Sequence, residues 1–441
     1  MSAFADRDRL AATPAHDLAL SCLAAGIEAA NPARAVERHC ALDGETLSVR
    51  DAEYDLSAYD SVRVLGGGKA ADELAAALET LLGDRITGGV VVTNERTASA
   101  DTDRVTVREG EHPTPGAGSV AGARAVLEAA AAADERTLVL ATVAGGGSAL
   151  LCAPAGDLSA GDVRAVTDGL LSAGAPIDET NTVRRACSEI KGGGLAATAA
   201  PGTVVGVLVS DVVGDAPAVI ASGPTVPTAT DPAAALGVLD RYGVEAAPVR
   251  AHLRRVDPRD PAVSGVDNHV VASGRDAIDA ARRTATERGY GACVLSARIE
   301  GDAAESGRFH AAIAAESADR GDPIEPPAVV LSGGETTVRV SGSGDGGPNQ
   351  EFVLAAAAAA PDRVVLGAVD TDGHDGSTDA AGALLDGAAI DDAAAARAAL
   401  EDNDSHGFLN RAGGLLRTGA TGTNVNDLRV LVVPAPDADG A

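Results

Sequence analysis

Short apolar runs alternate with longer alanine-rich stretches along most of the chain. Runs of strand length fall at 62–65, 88–92, 104–108, 137–143, 203–209, 269–272, 292–296, 328–331, 363–369 and 428–433. Most are nearly unbroken, as in Val204-Val205-Gly206-Val207-Leu208-Val209, the pattern of strands covered on both faces. Helix-length segments lie between many of them, at 15–30, 70–82, 118–133, 160–173, 180–199, 275–288, 302–319 and 351–360. The alternation predicts an α/β protein with largely parallel sheets. The stretch 224–265 is softer and linker-like, carrying Pro224, Pro227, Pro232, Pro248, Pro258 and Pro261. A second proline cluster, Pro323, Pro326 and Pro327, precedes the run at 328. It marks the expected boundary between a larger domain over 1–322 and a smaller one over 323–441.

Charge narrows the function. The 441 residues hold 64 acidic and 35 basic side chains, a formal net charge of −29. Aromatics are 2% of residues and tryptophan is absent. An acidic surface over a small-residue core suits a cytoplasmic, halophilic protein, since concentrated salt screens the self-repulsion. So negative a field disfavours nucleic acid and anionic membrane as partners. No apolar run reaches spanning length, and Met1-Ser2-Ala3-Phe4-Ala5-Asp6-Arg7 has no basic-then-apolar leader pattern. Five scattered cysteines without a C-x-x-C pair argue against a disulfide framework or a zinc site. The same field would repel an anionic substrate, so such a substrate needs a local cationic site.

Lysine supplies one. Only two lysines occur, and both border three glycines: Gly66-Gly67-Gly68-Lys69 and Lys191-Gly192-Gly193-Gly194. Glycines let backbone amides approach an anion, and an ammonium adds a mobile point charge, so the pairing reads as phosphate handling. The plainer reading is two survivors on exposed loops. Five strand candidates also end in glycine or carboxylate clusters. Val62–Leu65 runs into Gly66–Lys69, Val143 into Ala144-Gly145-Gly146-Gly147-Ser148, and Val209 into Ser210-Asp211-Val212-Val213-Gly214-Asp215. Leu331 leads to Ser332-Gly333-Gly334-Glu335-Thr336, and Val369 to Asp370-Thr371-Asp372-Gly373-His374-Asp375-Gly376. Ligands of open α/β sheets bind beyond the carboxyl ends of strands, although each cluster alone also fits an ordinary tight turn.

Several motifs in order carry a resemblance. They are Gly145-Gly146-Gly147-Ser148-Ala149-Leu150-Leu151, Asn181-Thr182-Val183-Arg184, Lys191-Gly192-Gly193, Ser210–Asp215 and Ile220-Ala221-Ser222-Gly223-Pro224-Thr225. Gly333-Gly334-Glu335-Thr336-Thr337-Val338, Asn349-Gln350-Glu351, Thr371–Gly376 and Thr421-Gly422-Thr423-Asn424-Val425-Asn426-Asp427 follow. Together they resemble the glycerate 2-kinases with a C-terminal MOFRL domain, over nearly the whole chain. The resemblance implies a doubly wound, Rossmann-like domain over 1–322, a smaller α/β domain over 323–441, and an active site in the cleft between them. It implies phosphoryl transfer from ATP to D-glycerate, giving 2-phosphoglycerate, with Mg²⁺ or another divalent metal. A homodimer is compatible with it.

On that resemblance, Lys69, Lys191, Asp211 and Arg184 are the catalytic candidates. Gly67, Gly68, Gly145, Gly146, Gly147, Ser148, Gly333, Gly334, Asn349, Thr423 and Asn424 are candidates for nucleotide or phosphate. Asp211, Asp215, Asp372 and Asp375 are candidates for metal. Asp211 suits either Mg²⁺ or acceptance of the substrate hydroxyl proton; Asp215, beside Gly214, equally suits a turn. His374 reads as a solvated loop residue. Three positions depart from the family: Pro348 where it usually has Arg before Asn-Gln-Glu, Gly194 where it has Arg after Lys-Gly-Gly, and Ala186 where it often has His. A helix beginning at Pro348 would offer its first amides to an anion in place of the missing arginine.

A rival reaction class fits one segment. Gly66-Gly67-Gly68-Lys69-Ala70-Ala71 matches G-x-G-x-x-A, and the next strand ends at Asn94-Glu95, about where a ribose-binding acid belongs. This suggests an NAD(P)H-dependent hydroxypyruvate reductase, but leaves Lys191 and the carboxylate loops without a role. A non-catalytic sugar-phosphate-binding regulator would share the glycine loops and need fewer carboxylates.

Overall fold

The computed structural model describes residues 4–97, 100–261 and 263–436. It divides into two compact units, one formed by Pro32–Val271 and the other by Met1–Asn31 with Ala272–Ala441. The break expected at 322/323 falls inside the second unit. There Gly291–Asp302 and Ala328–Thr337 run side by side as parallel strands, and the intervening prolines shape a short connection after helix Ala303–Arg320. The N-terminal helix Pro14–Ala30 also belongs to this unit, packed on helix Gly274–Glu287 and on strands Val365–Asp370 and Asp427–Val433. Thr13 caps it by accepting the His16 amide, and Pro14 takes its first turn, where no amide partner is needed.

The unit Pro32–Val271 opens with a small antiparallel meander, β1 (Cys40–Asp43), β2 (Thr46–Val49) and β3 (Ala52–Asp55). A six-stranded sheet follows: β4 (Ser61–Gly67), β5 (Ile86–Thr93), β6 (Val105–Glu109), β7 (Thr137–Val143), β8 (Thr203–Val209) and β9 (Val266–Ala272), in the order β6-β5-β4-β7-β8-β9. The pairings β6–β5, β5–β4, β4–β7 and β7–β8 are all parallel. The chain thus lays strands outward one way from β4 and the other way from β7, a doubly wound arrangement that reverses between those two. Leu65, Val139, Ala141 and Val204 pack against Ala123, Val126 and Ala130 of helix Ala117–Ala131 and against Leu195 and Ala199 of helix Gly194–Ala199. Truncating a buried leucine such as Leu65 in so close a core costs about 2–5 kcal/mol. Helix Ala71–Leu82 packs on β4, β5 and β7.

Two expectations change here. The helix drawn over 180–199 is two, Ile177–Ala186 and Gly194–Ala199, because Gly192 and Gly193 adopt φ of 58° and 84° and turn the chain. The proline-rich stretch 224–265 is not a linker. Pro232 and Pro248 sit in the first turns of helices Pro232–Arg241 and Ala247–Leu253. These pack Leu239, Val249 and Leu253 with Val166, Leu170 and Val183 in a satellite core.

The other unit carries β10 (Gly291–Asp302), β11 (Ala328–Thr337), β12 (Val365–Asp370), β13 (Gly382–Asp386), β14 (Leu415–Leu416) and β15 (Asp427–Val433), in the order β10-β11-β15-β12-β13-β14. Only β10–β11 is parallel; the remaining pairings are antiparallel. The expectation of largely parallel sheets therefore holds for the first sheet alone. Phe352 and Val353 of helix Pro348–Ala357 fill the core against Leu366 and Leu431. Among the described residues no helix is long and apolar enough to cross a membrane.

Candidate active site

The sheet of Pro32–Val271 reverses between β4 and β7, and two glycine loops leave the sheet at that point. They continue the strand pairing beyond the sheet: the Ala144 amide donates to Gly67 O at 3.2 Å and the Lys69 amide to Gly145 O at 2.8 Å. Gly66 has φ of 154°, and a side chain there would strike the Thr142 carbonyl. A side chain at Gly145 would run into the Asp211 carboxylate, so Asp211, two residues beyond β8, lies directly on the β7 loop. Burial raises the Asp211 pKa. Its own amide, the Lys69 ammonium and the Gly146 amide pull the other way. A Cβ on Gly146 would stand 3.1 Å from Lys69 Cγ and 3.0 Å from His112 Cδ2, so Lys69 and His112 flank the same glycine. Sequence reasoning missed His112. It lies three residues beyond β6 without a glycine or lysine beside it, yet the strand-end rule that found the other loops reaches it.

Lys191 lies beneath the β7 loop. It is buried, and its ammonium donates to Ser148 O at 2.8 Å and Leu151 O at 3.3 Å, carbonyls around the short helix Gly147–Leu150. Burial and then the neighbouring Arg184 lower its pKa to about 7, with the Cys152 thiol opposing. Arg184, half-buried on helix Ile177–Ala186, is lowered by burial. It makes no hydrogen bond or ion pair with any described residue. Two adjoining cations without a carboxylate between them form a site for an anion. The Ser148 and Ser222 hydroxyls lie 2.8 Å apart, and Ser222 donates to Asn181 Oδ1 at 3.3 Å. Ala221 and Ser222 hold φ of 50° and 64°, a left-handed conformation that costs a non-glycine residue about 1–2 kcal/mol. Such strain gathers where a loop must take one shape. Asp215 has φ of 57° and its amide donates to Val212 O at 3.0 Å, the geometry of a turn.

The glycines before Lys69 do not offer a pyrophosphate cradle. The Gly68 amide donates to Val92 O at 2.9 Å, the Lys69 amide to Gly145 O at 2.8 Å, and the Ala71 amide to Gly68 O at 3.1 Å. Glu95, just beyond β5, is exposed. Gly67 and Gly68 serve the close approach of two loops, and the dinucleotide reading finds its amides already engaged.

The C-terminal candidates lie in the other unit, and most have a structural partner there. Gly333 and Gly334 sit inside β11 rather than on a loop after it, because β15 pairs with both and β10 with Gly334. The helix beginning at Pro348 forms as expected, but its amides are taken. Asp375 accepts the Asn349 amide at 2.9 Å and the Gln350 amide at 2.8 Å, and also the Gln350 side chain at 2.9 Å. Burial still lifts the Asp375 carboxyl to about 6. The Asn349 side chain donates to Asp427 at 2.6 Å, and Asp427 pairs with the fully buried Arg429. Asp372 accepts the His374 amide at 2.9 Å. Burial, then Asp372 and Asp427, raise the neighbouring Asp370. The Thr423 hydroxyl donates to Ala30 O at 2.6 Å, and Asn424 accepts the Asn426 amide at 3.2 Å, a side-chain turn. Among the described residues no group of three or more His, Cys, Asp or Glu could hold a metal ion.

A doubly wound sheet with two lysines, an unpaired arginine and a raised carboxylate at its reversal point is the architecture of an α/β enzyme acting on a small anion. Residues 18–254 match the domain of unknown function DUF4147, and residues 328–427 match the MOFRL family. The D-glycerate 2-kinase of Thermotoga maritima is 38% identical over 93% of this chain and 96% of its own. The crystal structure of a glycerate kinase from that organism superposes with a TM-score of 0.84 at 36% identity, over 94% of this chain and 98% of that one. A relative from Agrobacterium vitis, provisionally named a hydroxypyruvate reductase, is 40% identical over 84% of this chain and 86% of its own. The chain belongs to the glycerate 2-kinase family.

Proposed function

We propose that the chain transfers a phosphoryl group from ATP to D-glycerate, giving 2-phosphoglycerate, at the site beyond β4, β7 and β8. The observation that carries this reading is that both lysines of an otherwise lysine-free chain meet the same loop. Lys69 lines it at Gly146 and Lys191 supports it at Ser148. Phosphoryl transfer asks a protein mainly for positioning and for neutralisation of phosphate charge. Lys69 and Arg184 provide that charge, Lys191 holds the Gly145–Ser148 loop in shape, and the loop lies against the phosphates. Asp211 is a carboxylate made more basic by burial and oriented by the Gly146 amide, suited to accept the proton of the substrate hydroxyl. His112 lies against Gly146 of the same loop.

A divalent metal held here would supply positive charge to the phosphates, with Asp211 as the residue that would hold it. Mg²⁺ commonly uses one or two carboxylates, with water and phosphate completing its shell. Asp211, set against the β7 loop, is the acid we place toward such a metal, so the site fits one that arrives with its nucleotide. The buried acids Asp370, Asp375 and Asp427 are read as structural. We place the protein in the cytoplasm of a salt-rich cell, on its acidic surface and on five free cysteines, four of them buried.

The test is to incubate the protein with D-glycerate and Mg·ATP in high salt and identify the product by phosphorus NMR. 2-Phosphoglycerate appearing only when all components are present supports the assignment. NADH oxidation with hydroxypyruvate, and no ADP from glycerate, establishes the reductase that the Agrobacterium relative is named for.

A further inference from the structure

Within Pro32–Val271, a pocket of about 420 Å³ lies beside the C-terminal end of helix Ile177–Ala186, and its lining shares no residue with the site described above. Arg185 and Arg259 form part of its wall, with the buried His252 beside them. Many of the chain's arginines pair with carboxylates, as in Arg85–Glu45, Arg136–Asp60, Arg241–Glu179, Arg250–Asp240 and Arg288–Asp17. Arg185 and Arg259 are half-buried and make no ion pair with any described residue. Arg185 donates only to Ala218 O, at 2.8 Å. Arg259 donates to Lys191 O at 3.1 Å and weakly to Ser188 O at 3.5 Å. The Nε of each is buried without an acceptor. A guanidinium has five donors, and leaving buried ones unmet is costly.

The acids around this pocket do not answer that need. Asp157, Glu189 and Asp257 are exposed at its rim, and Asp157 lies 3.7 Å from the exposed Arg255. We propose that this pocket binds an organic phosphate monoester, at a site separate from the one beyond β4 and β7. Paired guanidinium edges match the oxygens of a phosphoryl dianion. The volume is in the range of small-molecule sites and far exceeds a bare phosphate ion. Ala186, Thr230, Pro232 and Val256 of the wall would receive the organic part. Burial lowers both arginines, against weaker support from Asp178 and Glu189, and an arriving dianion relieves that cost.

The probe is ribose 5-phosphate, titrated calorimetrically into the full chain with a non-hydrolysable ATP analogue and D-glycerate already present. Arg259 is left unchanged because it braces the Lys191 segment. Arg185→Gln removes one guanidinium, while Ala186→Glu keeps both and supplies them with an internal carboxylate. The wild type is expected to show one saturable site, at least tenfold weaker in each variant, with ribose alone silent and inorganic phosphate weaker. No binding by the wild type, or unchanged affinity in Ala186→Glu, overturns the site. Inorganic phosphate binding as tightly as the ester overturns the monoester assignment. The readout is a binding isotherm, so it stands whichever way the kinase assay falls.

Discussion

The Lys191 ammonium lies 2.8 Å from the Ser148 carbonyl oxygen, so one of the two lysines holds up the loop that the other one lines. The division of labour is physical. Lys191 is buried and spends donors on the carbonyls around a one-turn helix, where a cation is favoured. Lys69 is half-buried at the loop's outer side, beside Asp211 and His112. The two should therefore fail differently when removed.

Lys69→Ala is expected to lower kcat/KM by roughly 10²-fold or more with a smaller change in Tm, because the half-buried charge that is lost acts on phosphate and on the neighbouring Asp211 carboxylate. Lys191→Ala should lower kcat/KM comparably and also cost about 1–3 kcal/mol of stability, since the Ser148 and Leu151 carbonyls lose their donor. Arg241→Ala, which breaks only an exposed pair with Glu179, should change both by little. Wild-type turnover in both lysine variants would return the lysines to the status of chance survivors.

The lowered pKa of Lys191, about 7 against roughly 10.4 unfolded, has a signed consequence. Between those values the unfolded chain carries the extra proton, so this lysine's burial penalty is full below pH 7 and fades as pH rises toward 10. An anion bound at the adjoining cations favours the charged form and raises the pKa again. At pH 8 the protein should take up a fraction of a proton on binding a non-hydrolysable ATP analogue. Calorimetry in buffers of differing ionisation enthalpy measures this. Lys191→Met should abolish the uptake, and proton release in the wild type contradicts it.

Asp211→Asn keeps the size of the side chain and removes its basicity. If Asp211 accepts the hydroxyl proton, kcat should fall by roughly 10²–10⁴-fold with KM for Mg·ATP nearly unchanged. A large rise in the Mg²⁺ concentration needed for half-maximal rate, with kcat preserved at saturation, assigns the carboxylate to the metal instead.

Asp375 is a structural acid on this account. Asp375→Ala leaves the amides of Asn349 and Gln350 and the Gln350 side chain without their acceptor, and should destabilise the protein by about 3 kcal/mol. Chemical denaturation reads it directly. Pro348→Arg, which restores the residue usual in the family, leaves both capping bonds in place and should shift stability by less than about 1 kcal/mol. Equal tolerance of both changes would mean that Asp375 does not cap this helix.

Ten strand candidates read from apolar runs have counterparts in the fold, because strands buried on both faces leave near-continuous apolar sequence. The strands without a counterpart are short: β1 to β3 have four residues of mixed polarity, β13 has five and β14 two, too few for such a signal. The sequence also marked the loops after β4, β7 and β8, since glycine next to lysine or aspartate is a local feature of composition. Register, partner choice and enclosure are not local. That the amides of Gly68 and Lys69 are consumed by Val92 and Gly145, that Asp375 occupies the helix end at Pro348, and that Gly333 and Gly334 lie inside a strand all depend on which segments the sheets place side by side. His112 joined the site for the same reason: parallel pairing brings the ends of β6, β4 and β7 to one edge. Residue identity alone determined that this acidic chain keeps its only two lysines beside glycine runs, whereas strand order decided which other groups meet them, because a parallel sheet joins residues far apart in sequence.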